Sequence, residues 1–130
     1  MIKDQGNKRE IGTYYESLAL SHVVAQGAVP VEHNFRCRQG EIDLIYRHDQ
    51  YLVFAEVKYR TSERMGDPVE AVDRKKQTTI SRVCDRYRYL KHIPEDTPIR
   101  FDVIGIEGRM GEPARIAWIQ NAFPYIFKKS

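Results

Sequence analysis

Two cysteines in 130 residues, Cys37 and Cys84, stand far apart and share no CxxC spacing. That excludes a disulfide-stapled scaffold and a cysteine-based zinc site, and free thiols point to a reducing cytoplasm. No run of 18 apolar residues occurs, so no membrane-spanning helix and no membrane partner are expected. The opening Met1-Ile2-Lys3-Asp4-Gln5-Gly6 lacks the apolar core of a secretory signal and is expected to be a polar arm. Histidine is sparse as well: residues 22, 33, 48 and 92 show no ligand spacing. Repeats and low-complexity tracts are missing, and no shift of composition marks a boundary. A chain of this length is expected to form one domain, with its core over residues 7–125.

What is present is charge where apolar residues belong. Gly40-Glu41-Ile42-Asp43-Leu44-Ile45-Tyr46 and Leu52-Val53-Phe54-Ala55-Glu56-Val57-Lys58 are rich in β-branched and aromatic residues, and polar His48-Asp49-Gln50 separates them. They are expected to pair as antiparallel strands. Alternation of side chains puts Glu41, Asp43 and Ile45 on one face and Ile42, Leu44 and Tyr46 on the other, and sets Glu56 beside Lys58. If Asp43 and Glu56 share a face, two carboxylates and an ammonium converge in mid-sheet. Like charges ~4 Å apart repel by about 4 kcal/mol at an effective dielectric of ~20. A domain is stable by only about 5–15 kcal/mol. Such a cluster therefore holds a proton or a divalent cation, and oxygen ligands suit Mg²⁺ or Mn²⁺. Ions of that kind support phosphodiester hydrolysis.

A first helix is expected to about Gln26, with Ile11, Tyr15, Leu18, His22 and Val23 inward and Gly27 as its stop. Glu16 sits among Gly12, Thr13, Ala19 and Leu20, away from a solvated stripe. It either completes a metal site above the sheet or is a partly exposed helix glutamate. Residues 29–36 alternate loosely and predict an edge strand. The polar loop over residues 59–67 is a substrate flap or an ordinary surface loop. Pro68 suits the first turn of a second helix reaching Leu90, with Val72, Ile80, Val83, Tyr87 and Leu90 inward. Residues 101–106 and 114–119 predict two further strands joined as a hairpin. Asp102 reads as a structural partner of Arg100, and Trp118, Tyr87 and Tyr89 as packing groups. The net charge of +3 is mild, but Arg74 to His92 carries seven basic residues and one acid, a stripe suited to a polyanion.

Glu16 on a helix, Gly-Glu-Ile-Asp at 40–43 and Glu56-Val57-Lys58 together resemble the D-X(n)-E-X-K signature of PD-(D/E)XK nucleases. More closely, these blocks with Val53-Phe54-Ala55, Tyr59-Arg60, Arg100-Phe101-Asp102-Val103 and Asn121-Ala122-Phe123 are similar to the bacterial YraN family, which is assigned to the endonucleases. The likeness covers about residues 6–125. It implies a restriction-endonuclease-like α/β domain, a mixed central sheet flanked by helices, acting as a Mg²⁺- or Mn²⁺-dependent endonuclease on DNA. Branched DNA is among its implied substrates.

In that likeness, Asp43 and Glu56 match the metal-binding catalytic carboxylates, and Glu16 the helix-borne acid that archaeal Holliday-junction resolvases also contribute. The Val57 carbonyl is implied as a further ligand. Lys58 matches the motif lysine, placed to orient the attacking water or stabilise the phosphate. Gln77 resembles a supporting helix residue, with Lys76 its rival, and Glu41 is a ligand, a supporting acid or a solvent-facing residue. Ile42 stands where the name motif has proline. Arg60, Arg74, Lys75, Arg82 and Arg86 are expected to grip phosphates without reading sequence, and cutting both strands of a symmetric junction favours a homodimer. The alternatives are a non-catalytic nucleic-acid-binding module of the same fold and a protein-interaction scaffold.

Overall fold

A computed structural model describes residues 7–61 and 67–129. The expected arm at residues 1–6 and the flap segment at residues 62–66 lie outside the described residues. Helix α1 (Lys8–Ala25) starts where Asn7 and Glu10 satisfy each other's free amides: Asn7 Oδ1 accepts from Glu10 N at 2.9 Å and Glu10 Oε1 from Asn7 N at 3.2 Å. This capping box fixes the first turn. Tyr15, Ala19 and Val23, spaced by four, form the buried stripe of the helix.

Five strands follow the expected order: β1 (Val29–Cys37), β2 (Gly40–His48), β3 (Tyr51–Arg60), β4 (Ile99–Glu107) and β5 (Arg115–Ile119). They lie side by side in sequence order as one open sheet. All neighbours are antiparallel except β3 and β4, which run parallel from Leu52↔Ile99 to Arg60↔Glu107. Parallel neighbours need a long crossover. Here a 3₁₀ helix (Pro68–Ala71) and α2 (Arg74–Leu90) supply it on the sheet face opposite α1. The result is a mixed α/β fold with an open five-stranded sheet and two α-helices.

Each face of the sheet has its own core. Ile45, Phe54, Phe101 and Val103 pack with Ile80 and Val83 of α2, whereas Leu44, Val53, Ile104 and Ile106 pack with Tyr15, Ala19 and Val23 of α1. Burial of each large apolar side chain contributes about 1.5–3 kcal/mol. Among the described residues no helix is long and apolar enough to cross a membrane.

The helix expected from Pro68 to Leu90 is broken. Val72 leaves helical geometry at φ −105°, ψ 84°, and Asp73 then caps α2 by accepting from Lys76 N at 2.8 Å. An aspartate side chain competes for free helix amides, so the chain restarts there instead of running through. The inward face is also turned: Ser81 and Cys84 are buried, and Leu90 is 43% exposed. The 3₁₀ helix lies against β4 because Gly105 has no Cβ, since one built there would stand 2.4 Å from Pro68 Cγ.

Beneath the α1 side, Asp102 is fully buried and fully answered. Its carboxylate accepts from Arg100 Nε and Nη2 at 2.9 Å each, Tyr46 OH at 2.7 Å, Trp118 Nε1 at 2.9 Å and Asn121 N at 3.0 Å. The structural pairing expected for Asp102 with Arg100 is therefore present, and Trp118 joins it through its indole N–H.

Candidate active site

Strands β2 and β3 are paired from His48↔Tyr51 to Leu44↔Ala55, and the ladder stops there. One step further along that register Asp43 stands opposite Glu56. On its other flank, Asp43 falls between the pairs Phe35↔Ile42 and His33↔Leu44, facing Asn34, whose φ of 52° is left-handed. Asparagine tolerates that region better than most residues.

The faces of β2 differ from those expected from strict alternation. Ile42 packs with Ile45 on the α2 side, while Leu44 and Tyr46 pack on the α1 side. Alternation therefore fails at Asp43, and the grouping of Ile42 with Leu44 and Tyr46 is corrected. The half-buried Asp43 takes over one β3 amide beyond the end of the ladder: its Oδ2 accepts from Val57 N at 2.8 Å. The N–H and C=O of one residue leave a strand on the same side, so the Val57 carbonyl is directed into the same gap.

Glu56 is 4% exposed on the α2 side. Lys76 Nζ lies 3.4 Å from its Oε2, and Lys58 adds a second positive charge nearby. The Asp43 and Glu56 carboxyls share a hydrogen bond. Both hold protons more tightly than ordinary carboxyls. Burial is the main cause for each; the negative charge of Asp43 adds to it at Glu56, and that of Glu41 at Asp43. The Val57 amide and Lys76 oppose the shift at Asp43, and Lys76 and Lys58 oppose it at Glu56.

Glu16 comes down from α1 and is pushed up to about 7, first by burial and then by Asp43, against a hydrogen bond from Asn34. The acids thus form a chain, Glu16 to Asp43 to Glu56. A cavity of about 420 Å³ opens over the first two, walled by Lys8, Arg9, Asn34, Arg36 and Glu41 among others.

The donors are all oxygen, which suits a hard divalent cation. Among the described residues, no three His, Cys, Asp or Glu side chains already form a metal cage. Two adjacent carboxylates and a carbonyl still fit Mg²⁺ or Mn²⁺, since Mg²⁺ keeps several waters and takes only one or two protein carboxylates at phosphate-processing sites. Asp43, Glu56 and the Val57 carbonyl would hold it, with Glu16 behind Asp43.

The remaining expected residues divide by position. Lys58 lies two residues beyond Glu56 on the same face of β3, and its charge acts on Glu56. Lys76 touches Glu56, whereas Gln77 Nε2 donates to Val72 O at 3.0 Å and secures the junction before α2. Glu41 pairs with Arg36 at 3.3 Å on the rim. Arg74 and Lys75 are exposed at the same end of α2 as Lys76. Arg86 is exposed about 18 Å further along that helix, its guanidinium 5.6 Å from the Tyr89 ring centre. Arg82 is turned toward the C-terminal segment, with its side chain 17% exposed, Asp85 at 3.3 Å and a hydrogen bond donated to Ile126 O. Arg60 is held by Glu107 through Nε at 3.0 Å and Nη2 at 2.7 Å. Asn34 was not singled out by sequence reasoning; it falls on a polar position of the alternating edge strand, so the pattern gave no signal for it.

A profile for the uncharacterised protein family UPF0102 matches residues 15–106, which include Glu16, Asp43, Glu56 and Lys58. A UPF0102 protein of Lachnoclostridium phytofermentans is 41% identical over 117 residues, covering 90% of this chain and 95% of that protein. One from Hahella chejuensis is 42% identical over 114 residues (88% and 90%), and one from Legionella pneumophila 38% over 115 residues (88% and 95%). With likeness at that level running the length of the relatives and a profile that spans the whole carboxylate chain, this protein belongs to the uncharacterised protein family UPF0102.

Proposed function

We propose that this protein is a Mg²⁺- or Mn²⁺-dependent endonuclease of restriction-endonuclease-like architecture that hydrolyses phosphodiester bonds in DNA. One observation carries the reading: at the fork between β2 and β3, half-buried Asp43 stands opposite buried Glu56 with Glu16 and Glu41 close by, so that more carboxyls gather than the two nearby lysines can neutralise. A bound divalent cation supplies charge neutralisation and a more acidic water. Asp43 and Glu56 fix its place, and the Val57 amide orients Asp43. Lys58 reaches the same face, where its ammonium orients the attacking water and faces the charge that grows on the phosphate oxygens. In the reaction the water oxygen bonds to phosphorus as the bond to the leaving ester oxygen breaks; the water gives up a proton to solvent, and the leaving oxygen takes one from solvent. Lys76 holds Glu56 in position from α2, and exposed Arg74 and Lys75 meet flanking phosphates without reading bases. Cutting both strands of one substrate would call for a second copy of the site in a homodimer.

The test sets wild type beside Asp43→Asn and Glu56→Gln, with labelled junction, flap, single-stranded and duplex DNA in Mg²⁺, Mn²⁺ or chelator. Wild type should cleave, chelator should stop it, and both variants should lose cleavage while keeping fold and DNA binding. Cleavage that survives both substitutions would refute the reading. Salt-dependent binding with no turnover would instead identify a non-catalytic nucleic-acid-binding protein.

A further inference from the structure

Beyond Glu56, on the same face of the sheet, the next row across three strands is Lys58, Gly105 and Ala117: Lys58 pairs with Gly105, and Gly105 with Ala117. Two of the three have almost no side chain, so the sheet floor drops there. The 3₁₀ helix stands over this floor, with Pro68 against Gly105. The hollow that remains has a volume of about 310 Å³ and is lined by Lys58, Pro68, Ala71, Gly105 and Ala117 among others. Its surface is more apolar than polar, but Arg60, Glu107 and Arg115 also line it, with both arginines bonded to Glu107; Lys58 is the lining residue whose charge also acts on Glu56.

We infer that this cavity receives one unpaired nucleobase of the substrate, next to the phosphate held at Asp43 and Glu56. The inference rests on the nuclease reading and narrows its substrate class to DNA with an unpaired or easily extruded nucleotide beside the cut. Three features select a base as occupant. The volume lies at the small end of ligand pockets, about 300–1,000 Å³, and so suits one compact group. The apolar part of the lining, Pro68, Ala71, Gly105 and Ala117, suits the face of a flat ring, and the arginines beside it are already bonded to Glu107. The shared ammonium of Lys58 places a cation where the phosphate attached to that ring would lie. Extruding a base from a duplex costs a few kcal/mol, and least where it is already unpaired, so a site that needs the base outside the stack discriminates by DNA structure.

Binding is measured in chelator, so that no cleavage is needed, on two duplexes of equal length. One is fully paired; the other carries a single bulged 2-aminopurine. Wild type should bind the bulged duplex at least tenfold more tightly, with a change in 2-aminopurine fluorescence. Ala117→Trp, at an exposed position that fills the cavity, should remove both effects. Ala71→Trp, from the opposite wall, repeats the test should the first variant not fold. Equal wild-type affinity for both duplexes, or a preference that survives a folded cavity-filling variant, overturns the base pocket and leaves the nuclease reading standing. Absence of binding to either duplex overturns both.

Discussion

Glu16→Gln removes one charge from the acidic chain and keeps a side chain able to hydrogen-bond Asn34. In the metal-free protein Glu16 is pushed from 4.5 up to about 7, mainly by burial and next by Asp43, with Glu41 adding and Asn34 and Arg36 opposing. A carboxyl whose folded value is raised favours the folded state at low pH. Its contribution is fully present below about 4.5 and is lost as pH rises through about 7. Each pKa unit corresponds to about 1.4 kcal/mol. Glu16 is partly exposed, so solvent screening reduces the expected loss to about 1 kcal/mol.

Chemical denaturation in chelator at pH 5, 6, 7 and 8 reads this directly. The wild type should lose about 1 kcal/mol more than Glu16→Gln across that range, leaving the variant the more stable at pH 8. Millimolar Mg²⁺ should narrow the gap, because a cation that binds only the folded state stabilises it. Parallel pH profiles, or a variant less stable than wild type at pH 8, would refute the placement of Glu16 against Asp43.

Lys76→Met should reduce cleavage by at least tenfold by releasing Glu56, whereas Gln77→Ala should leave cleavage within a few-fold and lower stability by about 1 kcal/mol through the lost bond to Val72 O; paired activity and denaturation measurements separate them. Asp102→Ala should destabilise by about 3–5 kcal/mol, because it strands the buried Arg100 guanidinium, and a thermal melt registers it as a large drop in Tm. Gly105→Ala should cost about 1–3 kcal/mol by forcing Pro68 off β4, visible in the denaturation midpoint.

Strand and helix order was legible in the sequence because periodicity is local: β2, β3, the β4–β5 hairpin and α1 all occur where hydrophobic spacing places them. The facing of Asp43 and Glu56 was legible too, since a short hairpin fixes its register. The break at Val72 and Asp73 was not, because a capping aspartate and an ordinary exposed helix aspartate look alike until the chain's direction is known. Nor was the fork. Left-handed Asn34 lies opposite Asp43 in a neighbouring strand, a facing set by pairing that no single segment encodes. Arg82 carries the composition of a basic stripe, yet its surroundings are set by a C-terminal segment more than forty residues away. Family likeness supplied what periodicity could not, the association of Glu16 with the hairpin acids.

Two buried acidic sites in one small fold allow a comparison that bears on function. Asp102 has Arg100, Tyr46, Trp118 and the Asn121 amide directed at it, so its burial is answered within the chain. Asp43 and Glu56 have one backbone amide, Lys76 and the more distant Lys58 between them, and both still hold protons abnormally tightly. The same sequence thus surrounds one buried carboxylate with five donated hydrogen bonds, whereas at the fork Glu16 and Glu41 add to the pair's negative charge and leave the group short of positive charge. Packing gives no reason for the difference, because an amide or a leucine at either position would remove the repulsion. A ligand that brings its own positive charge does give one. The shortfall lies at the end of the sheet where β2 and β3 part and Arg74 and Lys75 are exposed. A cation arriving with a phosphate is therefore the occupant that both the acids and the basic helix end favour.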